Sequence, residues 1–352
     1  MNLKELLGID LPIIQAPMAG VQDHALAVAV SNAGGLGSLP CAMLSSDALQ
    51  KELSAITRQT AMPYNVNFFC HVPPVPDPKR ERQWRQALAP YYIELGIDVD
   101  NIPEQAGRRP FSHEAADVLE EFKPPVVSFH FGLPAADLMA RIRGWGGKIM
   151  STATSVDEAL WLEARGVDAI IAQGLEAGGH RGSFLVRDIS TQVGTFALLP
   201  LVVQAVKVPV IAAGGIADSK GVAAAIGLGA TAAQLGTAYL LCPEATTSSI
   251  HRAALQSDAA RVTALTNLFS GGPARGIVNR LMRELGPINS AAPDFPLATT
   301  AIAPLRAKAE SQDSGDFSPL WAGQNVSGCK AVLAGQLTRD LAGANASIKA
   351  VI

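Results

Sequence analysis

The sequence predicts an α/β fold: a (β/α)8 barrel of the TIM type, with an insertion after strand 3 and a C-terminal helical and irregular cover. Three observations predict it. Short β-branched runs recur eight times, each followed by a Gly/Asn/Ser-rich turn and an Ala-rich stretch of helical period. No G-x-G-x-x-G follows the first of these runs, which argues against an open dinucleotide-binding sheet. Aromatic residues make up only 5% of a chain that is 48% hydrophobic, a balance that suits a parallel sheet covered by helices.

Taken in order, the strands are expected at Pro12–Ala16, Gly35–Leu39, Tyr64–Phe68, Val126–Phe129, Lys148–Ser151, Asp168–Ala172, Pro209–Ala213 and Ala232–Leu235. Helices are expected between them at His24–Asn32, Asp47–Arg58, Ser155–Arg165 and Ser219–Leu228. Ser155 followed three residues on by Glu158 forms a capping box, in which each side chain satisfies a backbone N–H near the other residue. Gly166 and Gly229 stand where a helix ends in a left-handed residue. Residues 1–245 then make the barrel. Within it, about 70–110 is an excursion rich in proline and charge, packed on the barrel mouth. Residues 246–352 are an extension covering that mouth, with a helix near Ser248–Leu255 and no strand pattern of its own.

Composition narrows the function. The net charge of -3 and the lack of a Lys/Arg-rich run make nucleic acid and anionic membranes poor partners. Cys41, Cys70, Cys242 and Cys329 are scattered, with no C-x-x-C pair, so neither a disulfide framework nor a metal site is expected. No apolar run is long enough to cross a bilayer, and a cytoplasmic protein is the default expectation. A homodimer is one oligomeric state the sequence leaves open.

In such a barrel, chemistry sits at the C-terminal ends of the strands, and phosphate often binds after strands seven and eight. Strand seven ends in Ala213-Gly214-Gly215-Ile216 and strand eight in Gln234-Leu235-Gly236-Thr237. Bare glycine N–H groups and a Thr hydroxyl suit a phosphorylated ligand, although glycines there also serve tight turns. Strand six runs into Gln173-Gly174-Leu175-Glu176-Ala177-Gly178-Gly179-His180, where the glycines leave room for a flat ligand and His180 supplies an imidazole. Strand one leads into Ala16-Pro17-Met18, whose backbone can bond a heterocycle edge while Met18 packs on a ring face. In strand three Asn65 and Asn67 share a face directed at the barrel mouth, with Asn67 the candidate ligand contact. Glu176 is open to a general-base or a backbone-orienting reading. His130 borders the pocket, whereas His24, His71, His113 and His251 read as surface or helix residues.

In this order, the segments Gln15–Gly20, Asn65–Phe68, Ala172–Gly182, Ala213–Ile216, Gln234–Thr237 and Phe269–Gly276 resemble the nitronate monooxygenase family, formerly called 2-nitropropane dioxygenases. The resemblance implies FMN without a metal. It assigns Gly215, Gly236 and Thr237 to the phosphate, and Asn67 and Gln173 to the isoalloxazine edge. Ala16, Pro17, Met18, Gly178, Gly179, Gly214, Gln234 and Leu235 complete the flavin contacts, and His180 stands beside the flavin and the substrate. The implied reaction is oxidation of alkyl nitronates, of the propionate 3-nitronate type, by O2 to a carbonyl compound and nitrite. His180 would bind the nitronate oxygens. The same glycine–histidine loop also fits an NAD(P)H-dependent FMN quinone or enoyl-thioester reductase, and a non-redox ligand-binding barrel is a second alternative. One departure stands out: such pockets are expected to carry tyrosines, and this chain has only Tyr64, Tyr91, Tyr92 and Tyr239, none in the tail.

Overall fold

The structure is a computed structural model that describes residues 3–98, 102 and 108–343. Its strands are β1 (Ile13–Gln15), β2 (Gly37–Pro40), β3 (Tyr64–Phe69), β4 (Val126–His130), β5 (Lys148–Ala153), β6 (Ala169–Gln173), β7 (Gly179–His180), β8 (Val210–Ala213), β9 (Ala232–Leu235), β10 (Thr263–Thr266) and β11 (Ala274–Ile277). Eight of them form one parallel sheet in the order β1-β9-β8-β6-β5-β4-β3-β2. Leu36 closes the ring, because its N–H donates to Ile13 O at 2.9 Å and its carbonyl accepts from Gln15 N at 2.9 Å. The eight strands expected from sequence are all present, with ends shifted by one or two residues. Strand ends follow ladder bonds rather than side-chain type: Thr152 and Ala153 pair with Ile171 and Ala172 and so extend β5 past Ser151.

The barrel interior has two layers. At the N-terminal end Ile14, Leu36, Val126, Met150, Ala169, Ile211 and Ala232 fill it, and Leu6 and Leu7 of the helix Leu3–Leu7 plug the bottom. Towards the mouth the filling turns polar, and the polar groups bond one another. Asn65 Nδ2 donates to Ser38 Oγ (3.0 Å) and Ser128 Oγ (2.9 Å), while Gln15 Oε1 accepts from Ser38 N (2.9 Å). Buried amides are tolerated there because partners stand within reach. The polar layer also changes the chemistry offered to a ligand, since the floor of the mouth presents amides instead of methyl groups.

Local signals held with one correction. Gly166 (φ +77°) and Gly229 (φ +100°) take the left-handed conformation that ends a helix. Ser155 Oγ accepts from Glu158 N at 3.2 Å, the expected half of the capping box. The other half is absent. The Glu158 carboxylate instead accepts from Thr154 N and Oγ1 (2.7 and 2.8 Å) and from Phe184 N and Leu185 N (2.6 and 3.1 Å), so it holds the chain just beyond His180. Four donors on a buried carboxylate outweigh one exposed cap bond.

The excursion and the tail pack on each other. Asp77 caps the helix Pro78–Leu95, whose Trp84, Leu88, Tyr91 and Tyr92 join Leu268, Ile302, Leu305 and Phe317 in a second apolar cluster. Tyr92 Oη donates to Ala301 O at 2.5 Å. The tail, expected to lack strands, contains β10 and β11, which pair antiparallel with each other and then with β7. Four-residue strands whose partners lie far away in sequence leave no periodic trace, which explains the miss.

Candidate active site

At the mouth, β7 and β11 turn the loop after β6 into a fixed wall. Register pairs His180 with Ala274 and Gly179 with Arg275. Gln173 braces the wall from inside: its Nε2 donates to His180 O at 2.9 Å and its Oε1 accepts from Gly182 N at 2.8 Å. Arg181, almost fully buried, donates to Gly174 O (2.6 Å), Gln173 O (2.7 Å) and Gln192 Oε1 (2.9 Å). Glu176 turns away from the mouth, accepting from Thr195 N and Oγ1 at 2.7 and 2.8 Å. Its role is to cap the helix Thr195–Ala205, and no base function is left to it.

The wall encloses a cavity lined by Ala16, Pro17, Met18, Asn67, Gln173, Gly178, Gly179, His180, Gly214, Gly215, Gln234, Leu235, Gly236 and Thr237, so the residues singled out in five separate segments come together. Asn65 does not reach it and stays in the polar layer below. Phe69, Arg108, His130, Thr152, His251, Trp321, Gly323 and Asn325 also line it, and of these sequence reasoning found only His130. Two of the histidines read as surface or helix residues reach the site: His251, on the helix Ser249–Gln256, lines the cavity, and His71 packs 4.9 Å from the Phe295 ring. Phe295 of the tail covers His71, and His251 rides on the tail's own helix, placements that their local sequence does not encode.

A strip of tail closes the far end. Gly323 N donates to Thr237 Oγ1 at 2.9 Å, Gln324 N to Glu176 O at 3.0 Å and Asn325 Nδ2 to Gly215 O at 3.2 Å. The strip lies so close that a Cβ on Gly178 would stand 2.6 Å from Ala322 C and Gly323 N. Gly214 (φ +113°) and Gly215 (φ +73°) adopt backbone conformations that L side chains rarely reach, and this bares their N–H groups.

His180 is the centre of the other end. Its ring lies 5.1 Å from Phe295, 5.5 Å from Trp321 and 6.3 Å from Phe69, with Nε2 2.8 Å from Ser270 Oγ. Burial pushes its pKa well below the usual imidazole value, and the charges of Arg108, His130 and His71 push the same way. His130 is likewise lowered to about 4 by burial, and so is His251. These imidazoles are therefore neutral at physiological pH. No tyrosine lines the cavity; phenylalanine and tryptophan rings surround His180 instead.

A sequence model of the nitronate monooxygenase family matches residues 1–343. The chain belongs to the nitronate monooxygenase family. The family is flavin-dependent. The nitronate monooxygenase of Paraburkholderia phytofirmans is 43% identical over 345 residues, covering 96% of this chain and 93% of that protein. The one of Pseudomonas aeruginosa is 41% identical over 341 residues, covering 96% of each. The crystal structure of a nitroalkane oxidase from Streptomyces ansochromogenes superposes with a TM-score of 0.89 at 37% identity, covering 99% of each chain. Among the described residues, no helix is long and apolar enough to cross a membrane.

Proposed function

We propose that this member of the family uses FMN to oxidise alkyl nitronates of the propionate 3-nitronate type with O2, giving a carbonyl compound and nitrite. The observation that carries this reading is His180: a neutral, desolvated imidazole among aromatic rings, at one end of a cavity floored by glycines. The residues present fit a flavin. Gln234 Oε1 is buried and has no hydrogen-bond partner among the described residues, which suits it to accept from a ring N–H. Thr237 Oγ1 accepts from Gly323 N and keeps its own hydrogen to donate, beside the bare N–H groups of Gly215 and Gly236, so this end suits a phosphate. Met18 and Ala16 flank Gly236. Gln173, by contrast, spends both ends of its amide on the wall, and Asn67 Nδ2 spends itself on Ser128, so their part is chiefly to set the shape. Residues 1–245 would act as the flavin-holding barrel and 246–352 as its cover.

When bound, FMN supplies the redox chemistry. The protein supplies position. Ser270 Oγ stands 2.8 Å from His180 Nε2 and 3.4 Å from Gly272 O, so its hydrogen goes to the nearer acceptor. That leaves the ring proton on Nδ1, ready to donate to a nitronate oxygen. A substrate that arrives as an anion needs no base, and a neutral donor binds it without a titration near neutral pH.

Oxygen uptake by FMN-loaded protein separates the readings. Rapid uptake with propionate 3-nitronate and slow uptake with NADH is the expected outcome. Anaerobic bleaching of the flavin by NADH within the mixing time would favour the reductase alternative instead. The cavity floor gives a second test. Gly178→Ala drives a methyl into the Ala322–Gly323 backbone, and FMN affinity of the apoprotein should weaken about tenfold, the scale of a modest overpacking strain. Unchanged affinity in a fluorescence titration would show that the tail strip does not shape the flavin site.

A further inference from the structure

The excursion after β3 ends in Arg108, to which the reading above gives no substrate contact. Arg108 lines the same cavity, and among the described residues it is the one Lys or Arg side chain to do so, with no Asp or Glu in the lining. Burial lowers its pKa, with a further push from Arg306. Its guanidinium makes one described hydrogen bond, from Nη1 to Thr299 Oγ1 at 3.3 Å, and pairs with no described carboxylate. It lies 5.7 Å from the centroid of the Phe295 ring, which also meets His71 at 4.9 Å, His180 at 5.1 Å and Phe131 at 5.2 Å. The phosphate-suited groups Gly215 and Thr237 are tied instead to the tail strip at Asn325 and Gly323.

A part-buried guanidinium with one hydrogen bond among the described residues is costly to desolvate, and an anion entering the cavity would offset that cost. A carboxylate matches it best, because the planar fork can give two parallel bonds to two oxygens. From these observations, and resting on the nitronate reading above, we infer that Arg108 is the carboxylate anchor of the substrate site. It selects nitronates that carry a second, terminal carboxylate over simple alkyl nitronates. His180 holds the reacting end and Arg108 the distant end, with Phe295 packed between the two as an apolar spacer. The inserted segment thus sets specificity, which the barrel itself leaves open.

The test compares Arg108→Met with the wild type on propionate 3-nitronate and on ethyl nitronate, which lacks the carboxylate. The variant should raise KM for propionate 3-nitronate about 100-fold, as expected for losing a charged bidentate contact. KM for ethyl nitronate and kcat for both should stay within about twofold. Arg108→Lys should recover part of the loss. The flavin spectrum of Arg108→Met should match the wild type and its melting temperature should not fall, since the guanidinium has one described hydrogen bond to lose. Equal losses on the two substrates would put Arg108 on the nitronate group, and no loss on either would make it structural; each result overturns the anchor. A wild type that oxidises neither nitronate would end the nitronate reading but still test the anchor. Calorimetric binding of succinate should then weaken at least tenfold in Arg108→Met, and equal binding would overturn it.

Discussion

His180→Asn should lower kcat for nitronate oxidation about 100-fold while leaving the flavin bound, because it withdraws the donor that meets the substrate and touches none of the phosphate-suited groups. The magnitude is that of one well-placed donor in a water-poor site, and burial among Phe295, Trp321 and Phe69 provides such a site. Steady-state oxygen uptake and the visible spectrum of the purified variant check the two halves separately; full turnover with intact flavin would remove His180 from the reaction. The pH profile follows from the same burial. A lowered imidazole pKa means that the charged form accumulates only well below the ordinary value, so His180 stays neutral as pH falls from about 8 through about 6.5. Turnover should stay flat across that interval. A wave centred near pH 6.5 would mean that the imidazole is solvated and charged in the working enzyme.

The second large effect is expected at Arg181. Its guanidinium, lowered by burial to about 10 yet still charged at neutral pH, bonds two carbonyls of the wall and the Gln192 amide. Arg181→Met keeps the bulk but leaves Gly174 O and Gln173 O without those donors. The cost should be about 2 kcal/mol of stability, because Gln173 O loses this donor while Gly174 O keeps its bond from Ala177 N at 3.1 Å. Urea unfolding measures it. Because the same carbonyls fix the chain between β6 and β7, flavin content should fall with stability. A variant that unfolds at the wild-type urea concentration would mean that water or a neighbouring donor replaces the guanidinium. Arg181 escaped the sequence reading because a charged residue after two glycines looks like a solvated loop tip. Only the return of the tail, through Arg181 N to Pro273 O at 2.8 Å, buries it.

Much of the candidate site was legible because barrels put function at strand ends. Once eight strands are placed, Gly215, Thr237, Gln234 and His180 must converge, whatever the tail does. Gly166, Gly229 and the Ser155 cap were legible for a different reason: they are decided by bonds within a few residues. Glu158 shows where this local logic stops. Its reciprocal capping partner was available, yet the buried N–H groups of Phe184 and Leu185 took the carboxylate. His71 and His251 show the same limit in burial. His71 packs on Phe295 and His251 bonds the Trp321 backbone, and both partners are remote in sequence.

The sequence by itself determined the barrel, the family, the glycine-lined floor and the imidazoles of His180 and His130 at its edge, because each depends on short-range pattern or on the fixed geometry of a closed parallel sheet. Tertiary structure alone decided how the mouth is finished. The pairing of β7 with β11, the strip from Trp321 to Asn325 and the arrival of Arg108 beside Phe295 all join segments more than eighty residues apart. Such contacts depend on which surfaces exclude water together, and no local sequence pattern records that. The same closure turns a generic strand-end histidine into a neutral imidazole in an aromatic box, and brings the Arg108 guanidinium to Phe295 on its border.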